Sequence, residues 1–324
     1  SKIMSVAKQL INESLSTATF CVNAYLQDLS DEDLLRRPCD GGNHIAWQLG
    51  HLLASDNRLI NSVCPGSMPD LPSGFADQHS KENAGVDVAS SFLTKQLLES
   101  HPGSRCFVLV RGDDSRARLE ASLHEAGCAD DMCARVNVVQ GDLSREQFGL
   151  PDTRFVEIAR VVRAVFHVGA QVDWLRPYAD LRAANVVGTA TAISLAITAK
   201  APLHHISSGA VSGVAAEPAD LAQESGYTAS KAVAESLVAR AVEEKGLVAT
   251  IYRVGTVTAS AAASCVVNRE DYASRYIESC FELSMAVDSP ALFETIPVDT
   301  CAKLIATIAT SEEQRPLILP IANP

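Results

Sequence analysis

Tyr227 and Lys231 stand four residues apart in GYTASKAVAE, a stretch that reads as helix, so their side chains share one face a turn apart. A free phenol titrates near ~10, and an ammonium held beside it favours the phenolate, which makes Tyr227 a candidate proton donor and acceptor. The apolar run LHHIS (203–207) ends in Ser207 and Ser208 just upstream, where the Ser208 hydroxyl is placed to hold the same substrate oxygen. Asn185, in LRAANVVGTA, is placed to position a water that relays protons to Lys231. The competing reading makes Tyr227 and Lys231 two structural residues on a helix face, and Ser207 a turn residue.

Side chains so far apart in sequence meet only if the fold brings their elements together. From 106 onward, short apolar runs alternate with helical stretches: CFVLV (106–110), VNVV (136–139), AVFHVGA (164–170), LHHIS (203–207) and LVATIYR (247–253). That alternation predicts parallel strands joined by crossover helices, a doubly wound, mostly parallel α/β sheet. Uniformly apolar strands fit a sheet covered on both faces. Ligands of such sheets sit at the carboxyl ends of the strands, where Ser208 lies.

The first 61 residues have another pattern. Ile11, Leu15, Val22 and Leu26, then Ile45, Leu49, Leu52 and Leu59, recur at helical spacing and predict amphipathic helices of a bundle. Between them Ser30, with Asp33 three residues on, reads as a helix cap. The stretch 64–88 carries three prolines and three glycines without a period and reads as a linker or long loop, which puts a boundary within 62–104.

With 324 residues, 47% of them apolar, the chain can bury one large core or two ordinary ones. Its net charge of −12 argues against nucleic acid or an anionic membrane as the main partner. Nine scattered cysteines without a C-x-x-C pair suit reduced thiols in a cytoplasm. No apolar run approaches the ~20 residues of a membrane helix, and the opening residues are too polar for a signal peptide.

Taken together, VFHVGAQVDW, LRAANVVGTATAISLA, HHISSGAV, GYTASKAVAE and IYRVG resemble the extended short-chain dehydrogenase/reductase superfamily, and within it thioester reductase domains, over roughly 102–324. The resemblance implies a Rossmann-type domain over 101–324 that reduces a carbonyl or a carrier-bound acyl thioester by hydride transfer. It places Asn185, Ser208, Tyr227 and Lys231 on the catalytic tetrad, and cofactor contacts at Arg111, Asp142, Leu143, Val168, Gly169, Ala170 and Gly255. A guanidinium at Arg111, where an acidic residue would favour the ribose hydroxyl of NAD, suits the 2′-phosphate of NADP.

The glycine-rich loop of that family is missing. Counting back through SFLTKQLLESHPGSR sets its three glycine positions at Val88, Ser91 and Thr94. The strand expected before it, AGVDVA, is short and holds Asp87. That strand lies mid-sheet in the usual order, so its loss should leave its neighbours without a partner. The family's Arg-Pro-Gly is Arg253, Val254, Gly255 here, and a later glycine becomes Ala259 or Ser260. These departures keep open a binding or regulatory protein of the same fold that lacks productive cofactor binding.

LSDEDLLRRPCDGGNHIAWQLGHLLASDNRLI resembles DinB-like four-helix bundles over roughly 5–100, which gives a helical segment with linker over 1–100. That family holds a metal with three histidines, of which only the first position is matched, by His51; His44 and His79 do not complete the set. No metal site is expected, and a metal-dependent transferase is the third reading.

Overall fold

The computed structural model describes residues 88–112, 115–174, 176–214, 217–261, 295–311 and 316–322, with scattered positions between 30 and 71. The chain divides into two compact units, Ser1–Gly85 and Val86–Pro324. Most of the first unit, including His44, His51 and His79, lies outside the described residues, as do most of the helical stretches expected there. Within it, Asn57 and Asn61 tie helical residues to the turn at Met68 and Pro69, through an Asn57 Nδ2 bond to the Pro69 carbonyl of 2.6 Å and a Met68 N–H bond to Asn61 Oδ1 of 3.1 Å.

The second unit opens with helix α1 (Val88–Ser100). The sequence boundary drawn at 100 therefore falls inside this unit, since α1 packs with the residues that follow it. Its Phe92 and Leu93 join one apolar cluster and its Leu98 joins another, so the helix is held by burial at both ends.

Strands β1 (Cys106–Val110) and β2 (Val136–Gln140) pair in parallel, with helix α2 (Ser115–Glu125) between them in sequence. Helix α3 (Asp152–Val161) leads to β3 (Val165–His167), and a long helix α4 (Tyr178–Ala199) leads to β4 (Leu203–Ser208). Helix α5 (Gly226–Lys245) then leads to β5 (Ala249–Val254), and β6 (Thr256–Thr258) pairs with β7 (Thr295–Pro297). Helix α6 (Val298–Thr310) and strand β8 (Ile318–Ile321) complete the described residues.

Strands β3, β4, β5 and β8 form one parallel sheet in that order, with His167 beside His205 and Ser208 beside Val254. Alternation of strand and helix with parallel pairing is the doubly wound α/β arrangement expected from the sequence. The apolar runs at 106, 136, 203 and 247 became strands within about two residues of their expected bounds. The run at 164–170 is a strand only to His167, and Val168, Gly169 and Ala170 leave the ladder. Strands β6, β7 and β8 had no signal strong enough to predict them.

The sheet is split. Among the described residues, β1–β2 and β3–β4–β5–β8 are separate sheets, and no strand joins β1 to β3. Every residue of β1 is partly exposed although all five are apolar, as befits a strand with one partner. Packing bridges the break: α1 contributes to the clusters over both parts on one face, and Leu109 of β1 packs with Val165 and Leu203 on the other.

Helix α4 is long and apolar enough by composition to span a membrane, which the sequence reading did not anticipate. Half of that stretch is buried inside the protein, including Leu181, Asn185, Ala192 and Ala196, as in a core helix.

Leu98 is fully buried with Leu119, Leu123 and Val136. Leu98→Ala should cost about 2–5 kcal/mol by urea unfolding, while Val248→Ala, at a residue 71% exposed, should stay within about 0.5 kcal/mol.

Candidate active site

Helix α5 begins where the candidate catalytic tyrosine is needed. The Ser225 hydroxyl accepts a hydrogen bond from the Thr228 N–H and caps the first turn, and Gly246 in the left-handed region closes the last one. Gly226 is required by crowding, because a Cβ there would run into the Arg176 carbonyl oxygen and the Tyr178 N–H. The chain therefore passes close to residues 176–178 one position before Tyr227.

Tyr227, Lys231 and Asn185 are 7%, 3% and 2% exposed, a degree of burial that polar groups tolerate only when paired. The Ser208 side chain lies near enough to the Tyr227 phenol to draw its proton affinity down, so two of the four side chains of the expected tetrad come together at the carboxyl end of β4. The Lys231 ammonium donates to the Ile206 carbonyl at 2.7 Å and is thereby fixed beneath the strand end.

Asn185 is tied to the backbone of the loop after β3. Its Oδ1 accepts from the Gln171 N–H at 2.7 Å, and its Nδ2 donates to the Gln171 carbonyl and the Ser230 hydroxyl, each at 3.0 Å. Ser230 donates in turn to the Tyr227 carbonyl at 2.8 Å. Asn185 thus clamps the loop after β3 to the turn of α5 that carries Tyr227. It sits in a π-helical turn, Ala183–Val187, of the kind often found at functional sites.

Burial dominates the electrostatics. It holds the Tyr227 phenol above its usual value, with Ser208 pulling the other way, so the expected lowering of the phenol does not occur. Burial pushes Lys231 down to about 8, against the pull of the Glu235 carboxylate one turn along. Glu235 is itself paired with Arg253 of β5, whose Nη2 and Nε reach its carboxylate oxygens at 2.8 and 3.1 Å. His167 and His205, stacked at 5.3 Å between ring centres, are kept neutral by burial and by the Lys231 charge.

Sequence reasoning missed this buried polar layer under Lys231. His167 Nε2 lies 3.0 Å from the Thr189 hydroxyl, which donates to the Asn185 carbonyl, while both ring nitrogens of His205 and the Ser207 hydroxyl have no hydrogen-bond partner among the described residues. Ser207 lies inside β4 and not in a turn. Two histidines in apolar strand runs were the available signal, since a polar residue in a buried strand needs a reason.

The expected cofactor contacts divide into two groups. Arg111 follows β1 and is exposed, and its charge acts on Asp142 after β2. Burial alone would raise the Asp142 carboxyl, but bonds from the Ser144 hydroxyl and N–H, at 2.6 and 2.8 Å, together with Arg111 and Arg145, hold it below its usual range. Leu143 packs against Gly169 and Gly188, each of which would collide with it if it carried a Cβ. Val168, Gly169 and Ala170 form the half-buried chain after β3, and Gly255 follows β5 opposite Gly209.

A dinucleotide fits one end of this arrangement. At the candidate catalytic end the close-packed backbone at Gly209 and Gly255 and the polar atoms of Ser208, Tyr227 and Lys231 suit a ribose and its nicotinamide. At the other end Val88, Ser91 and Thr94 all lie within α1. Ser91 Oγ is 2.6 Å from Ser122 Oγ, and the Thr94 hydroxyl donates to the Ser90 carbonyl at 2.9 Å, so these side chains serve helix packing and form no diphosphate cradle.

The Lys231 shift carries a sign. The folded value lies below the usual 10.5, so below about pH 8 the folded state bears the full cost of the buried ammonium, and between about 8 and 10.5 the unfolded chain binds more protons and this contribution to stability rises with pH. Lys231→Met should therefore stabilise the fold most below pH 8, with the gain fading toward pH 10, as measured by urea unfolding of both proteins across that range.

Residues 89–305 match the male sterility protein family, an NAD-binding family, and residues 21–136 match the DinB superfamily, so the two overlap across α1, β1 and α2. L-2-aminoadipate reductase of Saccharomyces cerevisiae is 32% identical over 299 residues, covering 80% of this chain and 21% of the relative. Isonitrile lipopeptide synthase of Streptomyces coeruleorubidus is 31% identical over 286 residues, covering 84% of this chain and 19% of the relative. The chain thus spans about a fifth of the length of these relatives. Among solved structures, the terminal R domain of the myxalamid PKS-NRPS biosynthetic pathway superposes with a TM-score of 0.66 at 28% identity, covering 73% of this chain and 63% of that one. The reductase domain of a non-ribosomal peptide synthetase from Mycobacterium tuberculosis gives 0.59 at 23%, covering 73% and 64%, a likeness of fold. With two thirds of its length matched and the parallel α/β sheet in place, the chain belongs to the male sterility protein family.

Proposed function

We propose that this chain reduces a carbonyl, and specifically a carrier-bound acyl thioester, with NADPH. The observation that carries the reading is the placement of Tyr227 beside Ser208 at the carboxyl end of β4, with a buried Lys231 one turn away whose ammonium donates to the Ile206 carbonyl at 2.7 Å. A nicotinamide bound there supplies hydride to the acyl carbon. A phenol kept protonated by burial is suited to give its proton to the carbonyl oxygen, which the Ser208 hydroxyl is placed to hold by a hydrogen bond; the resulting hemithioacetal would then break its C–S bond, releasing the carrier thiol and an aldehyde. Lys231, with a value of about 8, is suited to return a proton to the tyrosine. Asn185 positions Tyr227 through Ser230.

The thioester preference is supported by relatives whose names are those of an aminoadipate reductase and a lipopeptide synthase, and by likeness to the R domain of a PKS-NRPS pathway. Preference for NADP is supported by the guanidinium of Arg111, exposed after β1 and close enough to Asp142 to act on its carboxyl. Scattered cysteines support a reducing, cytoplasmic setting; the five in described residues are free thiols.

A second reading, a regulatory or binding protein of this fold, is favoured by one observation: Ser91 and Thr94 are consumed by packing where a diphosphate cradle is needed. Calorimetric titration with NADPH, using NADH as comparison, separates the two. Micromolar NADPH binding, weaker for NADH, supports the reductase, whereas absence of binding at millimolar cofactor supports the alternative.

Tyr227→Phe should lower kcat by about 10²–10⁴ with cofactor affinity nearly unchanged. Arg111→Ala should weaken NADPH by about tenfold and NADH little. Turnover retained in the first variant, or equal losses in the second, removes the corresponding role.

A further inference from the structure

Strand β4 carries polar side chains on a face that begins apolar. Leu203, His205 and Ser207 alternate onto that face, and Leu203 is packed among Ala192 and Ala196 of α4 and Val238 of α5. His205 is fully buried and Ser207 nearly so, yet both ring nitrogens of His205 and the Ser207 hydroxyl lack a hydrogen-bond partner among the described residues. A buried polar group left unpaired costs stability, and an alkyl side chain at 205 would carry no such cost. The proton steps assigned to Tyr227, Ser208 and Lys231 make no use of this ring.

His167, the other imidazole of the layer, has a partner and a fixed tautomer. The Thr189 hydroxyl spends its one proton on the Asn185 carbonyl at 2.6 Å, so at 3.0 Å it can only accept from His167 Nε2. His167 pairs in register with His205 across β3 and β4, and the two rings stack at 5.3 Å with 25° between their planes. His205 is thus held by its strand and by stacking, and its nitrogens add nothing to its placement.

The charge next to His205 is that of Lys231. Its ammonium donates to the carbonyl of Ile206, the residue after His205, and it lowers the proton affinity of both rings. The other ionisable groups around the layer are Tyr227 at the strand end, and Glu235 of α5 and Arg253 of β5, which pair with each other. Helix α4 offers Asn185 and Thr189, neither of which titrates, and His204 faces the opposite side of β4, 2.9 Å from the Tyr252 hydroxyl. An ammonium has three protons, of which the Ile206 carbonyl takes one. A neutral imidazole offers the remaining charge a polar wall without adding charge of its own, whereas an alkyl wall would deepen its desolvation.

We propose that His205 is a positioning residue for Lys231, a neutral ring retained at a cost to stability because it partly solvates the ammonium that serves Tyr227. Without it the ammonium would give up its proton more readily, and the high-pH limit of turnover would fall. The catalytic meaning of the assignment rests on the reductase reading, while the coupling between the two side chains stands without it.

The test is a double-mutant cycle in the full chain, read by urea unfolding between pH 7 and 10, above the range in which unfolded imidazoles take up protons. His205→Leu and His205→Phe remove the nitrogens in two shapes, which separates their loss from a packing effect, and His205→Gln keeps a neutral polar group. In the two apolar variants Lys231 should bind its proton about tenfold less tightly, equivalent to ~1.4 kcal/mol. The folded value then lies further below the unfolded one, so the stability of these variants relative to wild type should climb by most of that amount from pH 7 to pH 10, as the wild-type ammonium is itself lost near about 8. In a Lys231→Met background the same substitutions should have an effect independent of pH, and His205→Gln should follow wild type more closely than His205→Leu. With NADPH and octanoyl-pantetheine, the high-pH limb of kcat should move down by about one unit in the apolar variants, with KM within about twofold. A stability difference that is flat from pH 7 to 10, or one that keeps its pH dependence in the Lys231→Met background, assigns His205 to packing alone and overturns the proposal. Coupling to Lys231 without NADPH oxidation leaves the proposal standing and removes the reductase reading, whereas NADPH oxidation without coupling does the reverse.

Discussion

The hydrogen bond from Lys231 to the Ile206 carbonyl is the contact on which the site depends. An ammonium 3% exposed is costly to bury, and its cost is limited only where its protons find acceptors and a counter-charge stands near. The carbonyl of β4 supplies the first, and Glu235, one turn along the same helix, supplies the second. Glu235 is held by Arg253 of β5, so one buried charge recruits two adjacent strands against α5. Docked in this way, the first turn of the helix can present Tyr227 only at the carboxyl end of β4, where Ser208 stands.

Proton affinities follow from that same burial. A tyrosine in water next to a free lysine would be a good base, whereas Tyr227 is desolvated and its lysine is engaged with a backbone carbonyl, which keeps the phenol protonated. The two imidazoles beneath stay neutral for the same reason and add polarity without adding charge. The arrangement is biased toward giving a proton to a developing oxyanion, the direction a reduction needs.

Strands and the Tyr227–Lys231 pair were legible in the sequence because each left a local trace: uniform apolarity for strands covered on both faces, and a helical offset for the pair. Ser208 was legible because strand ends are where such sheets bind ligands. The clamp that Asn185 makes on Gln171 was not, because nothing in the sequence says which backbone a side-chain amide will reach. Nor could the sequence assign α1 to the second unit, since its apolar residues fit either a bundle or a sheet, and the choice was made by where Phe92, Leu93 and Leu98 found partners.

The split sheet has a consequence for motion. In an unbroken doubly wound sheet, releasing an inner strand means breaking two ladders at once, which ties its opening to unfolding of the whole. Here β1 is joined by backbone hydrogen bonds to β2 alone among the described strands, and to the rest by side-chain packing from α1 and Leu109. The β1–β2 pair and α2 share one apolar cluster with Leu98 of α1, and no ladder ties them to the four-stranded sheet among the described residues. The amides of Cys106–Val110 would exchange with solvent through a sub-global opening of lower free energy than that governing β4 and β5. The residues expected to hold the adenosine end of a cofactor, Arg111 and Asp142, ride on the β1–β2 pair, while the candidate reacting groups sit on the four-stranded sheet and its helices. Ligand occupancy across the break would lower the opening rate of the smaller part, so protection of these amides would report on binding even where turnover does not.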